Sequence, residues 1–193
     1  MDDGLTAAEV QPLLRGRLGS PYLFVARCAS TQRLLAEDAP EGALAVADEQ
    51  TEGRGRLGRS WEAPAGTSIL CSLVLRPPVE TARLPELTLV AGRAVAAAIA
   101  DVTGLEPSVK FPNDVLVGGR KVAGILAEAS EGRVVLGIGV NVNQTEDQLP
   151  GETATPSSSL RIEKDDPVPR APLLAAILLR LERELDAWLA SPA

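Results

Sequence analysis

Hydrophobic residues along this chain follow two periods. Across residues 5–18, 84–102 and 172–189 they recur at helical spacing. Across 22–26, 43–48, 67–75, 109–111, 115–117, 121–128 and 134–142 they form short apolar runs, several of them β-branched. The first pattern buries one stripe of a helix, and the second reads as strands. Turn chemistry separates the blocks. Thr6 is a candidate N-cap for the first helix. Ser30-Thr31 caps a short helix reaching about Glu37, with Leu34 and Leu35 facing inward. Pro40-Glu41-Gly42 turns the chain, Arg76-Pro77-Pro78 stops a strand, and Gly104 ends the long alanine-rich helix, which holds Gly92 as its only internal glycine. Pro112 halts the 109–111 strand, and Gly118-Gly119 closes a hairpin. Residues 144–169 are polar and read as a loop with one short helix, after which Pro172 suits the first turn of a terminal helix. This order predicts an α+β fold: a mixed, largely antiparallel central sheet with helices packed on it, in one domain over 1–193 without internal repeats.

Composition narrows the chemistry. Of 193 residues, 45% are hydrophobic and 23% charged, enough for a full core. The net charge of −7 argues against broad nucleic-acid binding, which needs a basic face. There is no histidine, which removes Ser-His-Asp and Cys-His chemistry and His-ligated metals. The cysteines, Cys28 and Cys71, lie far apart outside any CxxC pattern and read as reduced, buried, small apolar residues. The N-terminus is acidic and unlike a signal peptide, and no apolar run is long enough to span a bilayer, so a cytoplasmic location is expected.

Two segments carry the candidate chemistry. Gly53-Arg54-Gly55-Arg56-Leu57-Gly58 matches G-x-G-x-x-G, but Trp61-Glu62-Ala63-Pro64 and a strand follow where a dinucleotide fingerprint must open a helix. A glycine loop without Cβ atoms lets backbone N–H groups approach a ligand, while Arg54, Arg56 and Arg59 supply forks that fit phosphate or carboxylate. Trp61 can cover an apolar ring or stack on a base. Alternatively, the loop is solvated and its arginines offset an acidic surface. In the second segment, Pro112 fixes a turn that projects Asn113 and Asp114, and Lys121 opens an otherwise apolar strand where its charge needs an anion. Gly124 permits close approach of a flat ligand. Lys110 and Lys121 could instead snorkel from strand ends. The strand through Gly137 and Gly139 ends in Asn141 and Asn143, as an asparagine turn or as ligand contacts.

In order and spacing, these motifs resemble those of biotin protein ligases, the biotin–[acetyl-CoA-carboxylase] ligases. The resemblance rests on Ser30-Thr31, Gln50, Gly53-Arg54-Gly55-Arg56-x-Gly58-Arg59-x-Trp61, Lys110-x-Pro112-Asn113-Asp114, Lys121-x-Ala123-Gly124-Ile125-Leu126 and Gly137-x-Gly139-x-Asn141. It implies a class II synthetase-like biotin/lipoate ligase fold and a two-step reaction. The biotin carboxylate attacks the α-phosphate of ATP to give biotinyl-5′-AMP and pyrophosphate. A lysine of a biotin carboxyl carrier protein then takes the biotinyl group and AMP leaves. The resemblance assigns biotin to Ser30, Thr31, Gln32, Gln50, Gly53, Arg54, Gly55, Arg56, Lys121 and Gly124. It assigns ATP or the adenylate to Arg56, Arg59, Trp61, Lys110, Asn113, Lys121 and Asn141. Catalytic roles fall to Lys121 and Arg56, which neutralise carboxylate and α-phosphate, and to Asp114, which orients or deprotonates the incoming lysine. Mg2+ is expected to arrive with ATP, without a protein metal cage.

Three departures from the family pattern shape the expectations. Phe111 stands where a tryptophan is usual, keeping an apolar aromatic wall without the indole N–H. No winged helix precedes the motifs, so DNA binding is not expected. The chain ends at its terminal helix, short of the small β-barrel most relatives carry. A monomer or a homodimer would both suit the family, and no membrane partner is expected. The rival readings are a lipoate or octanoate ligase or transferase on the same fold, and a module that holds biotin or biotinyl-adenylate without transferring it.

Overall fold

A computed structural model describes residues 3–151 and 154–191. Its frame is one seven-stranded sheet in the order β1-β2-β3-β7-β6-β5-β4. The strands are β1 (Tyr22–Cys28), β2 (Leu44–Gln50), β3 (Ser68–Leu75), β4 (Pro107–Lys110), β5 (Asp114–Val117), β6 (Arg120–Ser130) and β7 (Arg133–Asn141). Among the described strands β1 and β2 run parallel and the other strand pairs are antiparallel, in keeping with the mixed, largely antiparallel sheet expected. The helices are α1 (Ala7–Val10), α2 (Leu87–Thr103), α3 (Leu160–Lys164) and α4 (Arg170–Ala190).

Side chains alternate across a strand, so the register sorts the sheet into two faces. Ile69, Cys71 and Leu73 of β3 sit opposite Val140, Ile138 and Leu136 of β7. These residues join α2 and α4 in one buried cluster that includes Val90, Ala94, Leu174, Leu178 and Leu181. The alternate residues form a different surface. Ser72 faces Gly137, Leu70 faces Gly139, and Gly139 faces Gly124 of β6. Small residues on that side leave a trough where the helix side is filled by isoleucine and leucine.

Several boundaries differ from the sequence expectation. The helix over 5–18 contracts to α1 and a 3-10 turn at Gln11–Leu13, because Pro12 cannot donate to a continuing ladder. Thr6 does hold the N-cap position, where Glu9 Oε2 accepts from its N at 2.9 Å and from its Oγ1 at 2.7 Å. The helix after Ser30 is one 3-10 segment, Thr31–Leu34, which ends as Leu35 turns extended. β4 starts at Pro107 and stops at Lys110, so Phe111 lies in the following turn, where it precedes a cis bond to Pro112. The polar loop holds α3 and a 3-10 turn at Glu146–Gln148. Pro172 falls in the first turn of α4, where its missing N–H has no carbonyl to serve.

Candidate active site

The trough opens into a cavity of about 460 Å³, a size that suits a small-molecule ligand. Of the residues the sequence assigns to the site, Ser30, Thr31, Gln32, Gln50, Arg54, Gly55, Arg56, Arg59, Trp61, Asn113, Asp114, Lys121, Gly124 and Asn141 line it. Gly53 and Lys110 do not. Gly53 closes the base of the arginine loop: its carbonyl accepts from Trp61 N at 2.9 Å, and a Cβ there would lie 2.2 Å from the Trp61 carbonyl oxygen. Lys110 is exposed beside the cavity and donates to Thr155 Oγ1 at 2.7 Å.

One end of the cavity is neutral and polar. Ser30 and Thr31 are 3% exposed at the start of the 3-10 turn. Gln50 Oε1 accepts from Thr31 N at 2.8 Å and from Thr31 Oγ1 at 3.1 Å. Gln32 Oε1 is buried without a hydrogen-bond partner among the described residues, a costly state unless a ligand donor meets it.

Charged side chains line the rest of the wall. Antiparallel pairing of β5 and β6 brings Asp114 and Lys121 together, with Nζ 2.7 Å from Oδ1 and both side chains about one-fifth exposed. The sequence names both residues but not this pairing, which depends on the hairpin's register. Arg54 is balanced by Glu128 at 2.8 Å. Arg56 and Arg59 have no carboxylate partner among the described residues, so this acidic chain presents net positive charge at the mouth of its cavity. The arginine loop is held as a narrow hairpin by an Arg54–Ser60 bridge and by Gly55 N donating to Arg59 O at 2.7 Å. Its tip, Leu57, is 86% exposed with φ of 59°.

Trp61 lies across the paired glycines. A Cβ on Gly124 would sit 2.8 Å from its Cζ3, and one on Gly139 would sit 2.7 Å from its Cε2. Lys121 Nζ is 5.5 Å from the ring centroid, within cation–π range. The indole Nε1 is buried without a partner among the described residues.

The two amides serve the frame as well as the wall. Asn113 Nδ2 donates to Ile125 O at 3.0 Å. Asn141 Nδ2 donates to Ser158 O at 3.0 Å, and its Oδ1 accepts from Gln144 Nε2 at 3.1 Å. Asn143 is structural: it donates to Val168 O and accepts from Val168 N, each at 2.9 Å. Phe111 forms no apolar wall here; it is 75% exposed and stands outside the lining. Cys71 is fully buried as expected, and burial pushes its thiol up to about 12, so it is no nucleophile at neutral pH. Cys28 is only partly buried, contrary to the expectation, because its strand lies at the sheet edge.

Sequence reasoning did not select Ser72, or Pro150, Ala154 and Thr155, which also line the cavity. The loop residues carry no motif. Ser72 sits inside an apolar strand, and only strand register places it beside Thr31.

The trough is thus floored by glycines and walled by both neutral polar and positively charged groups. The chain belongs to the biotin/lipoate A/B protein ligase family, whose model matches residues 24–144. It is 39% identical over 175 residues to the bifunctional ligase/repressor BirA of Bacillus subtilis strain 168, covering 86% of this chain and 54% of that protein. It is 37% identical over 152 residues to the biotin–[acetyl-CoA-carboxylase] ligase of Mycobacterium tuberculosis, covering 77% of this chain and 56% of that protein. The chain thus spans about half the length of these curated relatives. Among solved structures, the biotin protein ligase of Aquifex aeolicus in complex with biotin and ATP superposes with a TM-score of 0.78 at 35% identity, covering 86% of this chain and 70% of that one. No helix among the described residues is long and apolar enough to cross a membrane.

Proposed function

We propose that this chain is the catalytic domain of a biotin protein ligase, forming biotinyl-5′-AMP from biotin and ATP and passing biotin to a lysine of a biotin carboxyl carrier protein. The observation that carries the reading is the mixed lining of the cavity: neutral hydrogen-bonding groups together with Lys121 and unneutralised arginines, over one glycine floor. A urea head offers a carbonyl acceptor and N–H donors, which match the Gln50 amide nitrogen and the unpartnered Gln32 Oε1. The acid's tail then points to Lys121, Arg56 and Arg59. There two anions must meet, and fixed cations stabilise the charge of the transition state. Trp61 and Gly124 flank the place for the adenylate, and the buried indole N–H is a donor available to it.

Asp114 has two tasks in this scheme. While it holds Lys121 it aims the ammonium into the cavity, and when Lys121 turns to the phosphate, Asp114 is released to orient the acceptor lysine. Mg2+ comes with ATP as part of that substrate. The carboxylates on the cavity wall are Asp114 and Glu62, and no group of three or more metal-ligating side chains occurs among the described residues. The net negative charge supports a protein acceptor over DNA, and the site of action in this reading is the cytoplasm.

The test is transfer itself. The chain, incubated with biotin, ATP, Mg2+ and an isolated carrier domain, is expected to biotinylate that domain, read as a mass increase on its acceptor lysine. Adenylate that accumulates without any transfer would overturn the ligase reading in favour of a module that holds biotinyl-adenylate.

A further inference from the structure

Beneath the polar end of the cavity runs a relay that begins at Ser72. This residue is fully buried in β3, and its Oγ lies 2.7 Å from Thr31 Oγ1. Thr31 in turn gives two hydrogen bonds to Gln50 Oε1. Counting protons fixes the direction. The amide oxygen of Gln50 only accepts, so the single hydroxyl proton of Thr31 is committed to it. Thr31 Oγ1 is then an acceptor on its other side, and Ser72 must donate. The relay therefore runs from the Ser72 hydroxyl through the Thr31 hydroxyl to the Gln50 carbonyl. Chains of this kind strengthen each member in a buried, low-dielectric setting.

The consequence lies at the far end. With Oε1 doubly engaged, the amide nitrogen of Gln50 is the group left for the cavity. It is turned toward the arginine loop, where a Cβ on Gly53 would stand 3.2 Å from it, and it bonds no described residue. We propose that Ser72 is a positioning residue that locks Gln50 with its NH2 toward the ligand, so that this end of the cavity selects an acid whose head presents a hydrogen-bond acceptor there. This deepens the proposed function and rests on it: the selected head is the ureido carbonyl. A head that presents an N–H in that place meets a donor with a donor and is rejected.

The experiment is acid-dependent ATP–pyrophosphate exchange with biotin and with 2-iminobiotin, whose imino N–H replaces the ureido oxygen. It is run on the wild type, Ser72→Ala and Ser72→Thr. For Ser72→Ala the biotin KM is expected to rise about tenfold, with a smaller change in kcat, as befits one lost hydrogen bond. The preference for biotin over 2-iminobiotin should narrow by about the same factor. Ser72→Thr, which restores the hydroxyl, should recover the preference. Should Ser72→Ala fail to fold, Ser72→Cys keeps the size with a poor donor and is expected to show the same narrowing. Wild-type exchange with biotin, together with an unchanged preference in the Ser72 variants, would overturn the relay alone. No biotin exchange in the wild type would overturn the underlying function, and the relay with it.

Discussion

Lys121 is the residue on which the proposed chemistry turns. It opens a strand with its ammonium 2.7 Å from Asp114 and 5.5 Å from the centre of the Trp61 ring. A partly exposed ion pair of this kind contributes on the order of 1 kcal/mol or less to stability. In the proposed reaction the same charge, aimed at a developing phosphate negative charge, contributes far more to rate. Lys121→Ala is therefore expected to lower adenylate formation by about 10²-fold or more while the fold persists. Thermal unfolding and adenylate yield, measured on one preparation, check both halves; wild-type yield would remove Lys121 from the mechanism. At this scale the sequence was informative about residue types, since a lysine in an apolar strand and arginines among glycines are conspicuous. It was silent on partners. Asp114 and Lys121 read as separate groups, Asn141 as a ligand contact without its bonds to Ser158 and Gln144, and Ser72 as one more small residue in a strand. Each of these depends on contacts between segments distant in the chain.

Among elements, β6 and β7 shape the site because their register sets Gly124 against Gly139 on the face away from the helices. The indole of Trp61 rests on both. Any larger residue at either position lifts the ring, and the cost is overpacking of about 1–3 kcal/mol. Gly139→Ala is expected to raise the KM for ATP by about tenfold while cooperative unfolding is retained, an effect of that size. An unchanged KM for ATP would mean that the indole and its glycine floor do not shape the nucleotide site. The long elements were legible because periodicity accumulates: α2, α4 and the β6–β7 hairpin matched their patterns closely. The short ones were not. A helical stripe over 5–18 is indistinguishable from several turns of mixed type until Pro12 and Gly19, with φ of 97°, are placed. Likewise Leu34 and Leu35 suit a helix or a 3-10 turn equally, and packing decided between them.

Across the whole molecule, two devices join distant parts of the chain to the sheet that carries the site. Arg170, 3% exposed at the start of α4, binds Asp48 at 2.9 Å and Ser68 O at 3.1 Å, and also the side chain and carbonyl of Asp3. It thereby ties the N-terminal segment and α4 to the same strands, β2 and β3, that deliver Gln50 and Ser72. The helix layer packs on the opposite face, so the core supports the trough without filling it. Net charge is −7, yet the mouth of the cavity is cationic, which draws anionic substrates to one place on an acidic surface. This arrangement is expected to activate biotin specifically. The most direct measurement is ATP–pyrophosphate exchange by this chain with biotin, lipoate or octanoate as the only acid. Exchange with biotin and with neither fatty acid is the expected result. Exchange with lipoate or octanoate in preference to biotin, or with no acid at all, would contradict it.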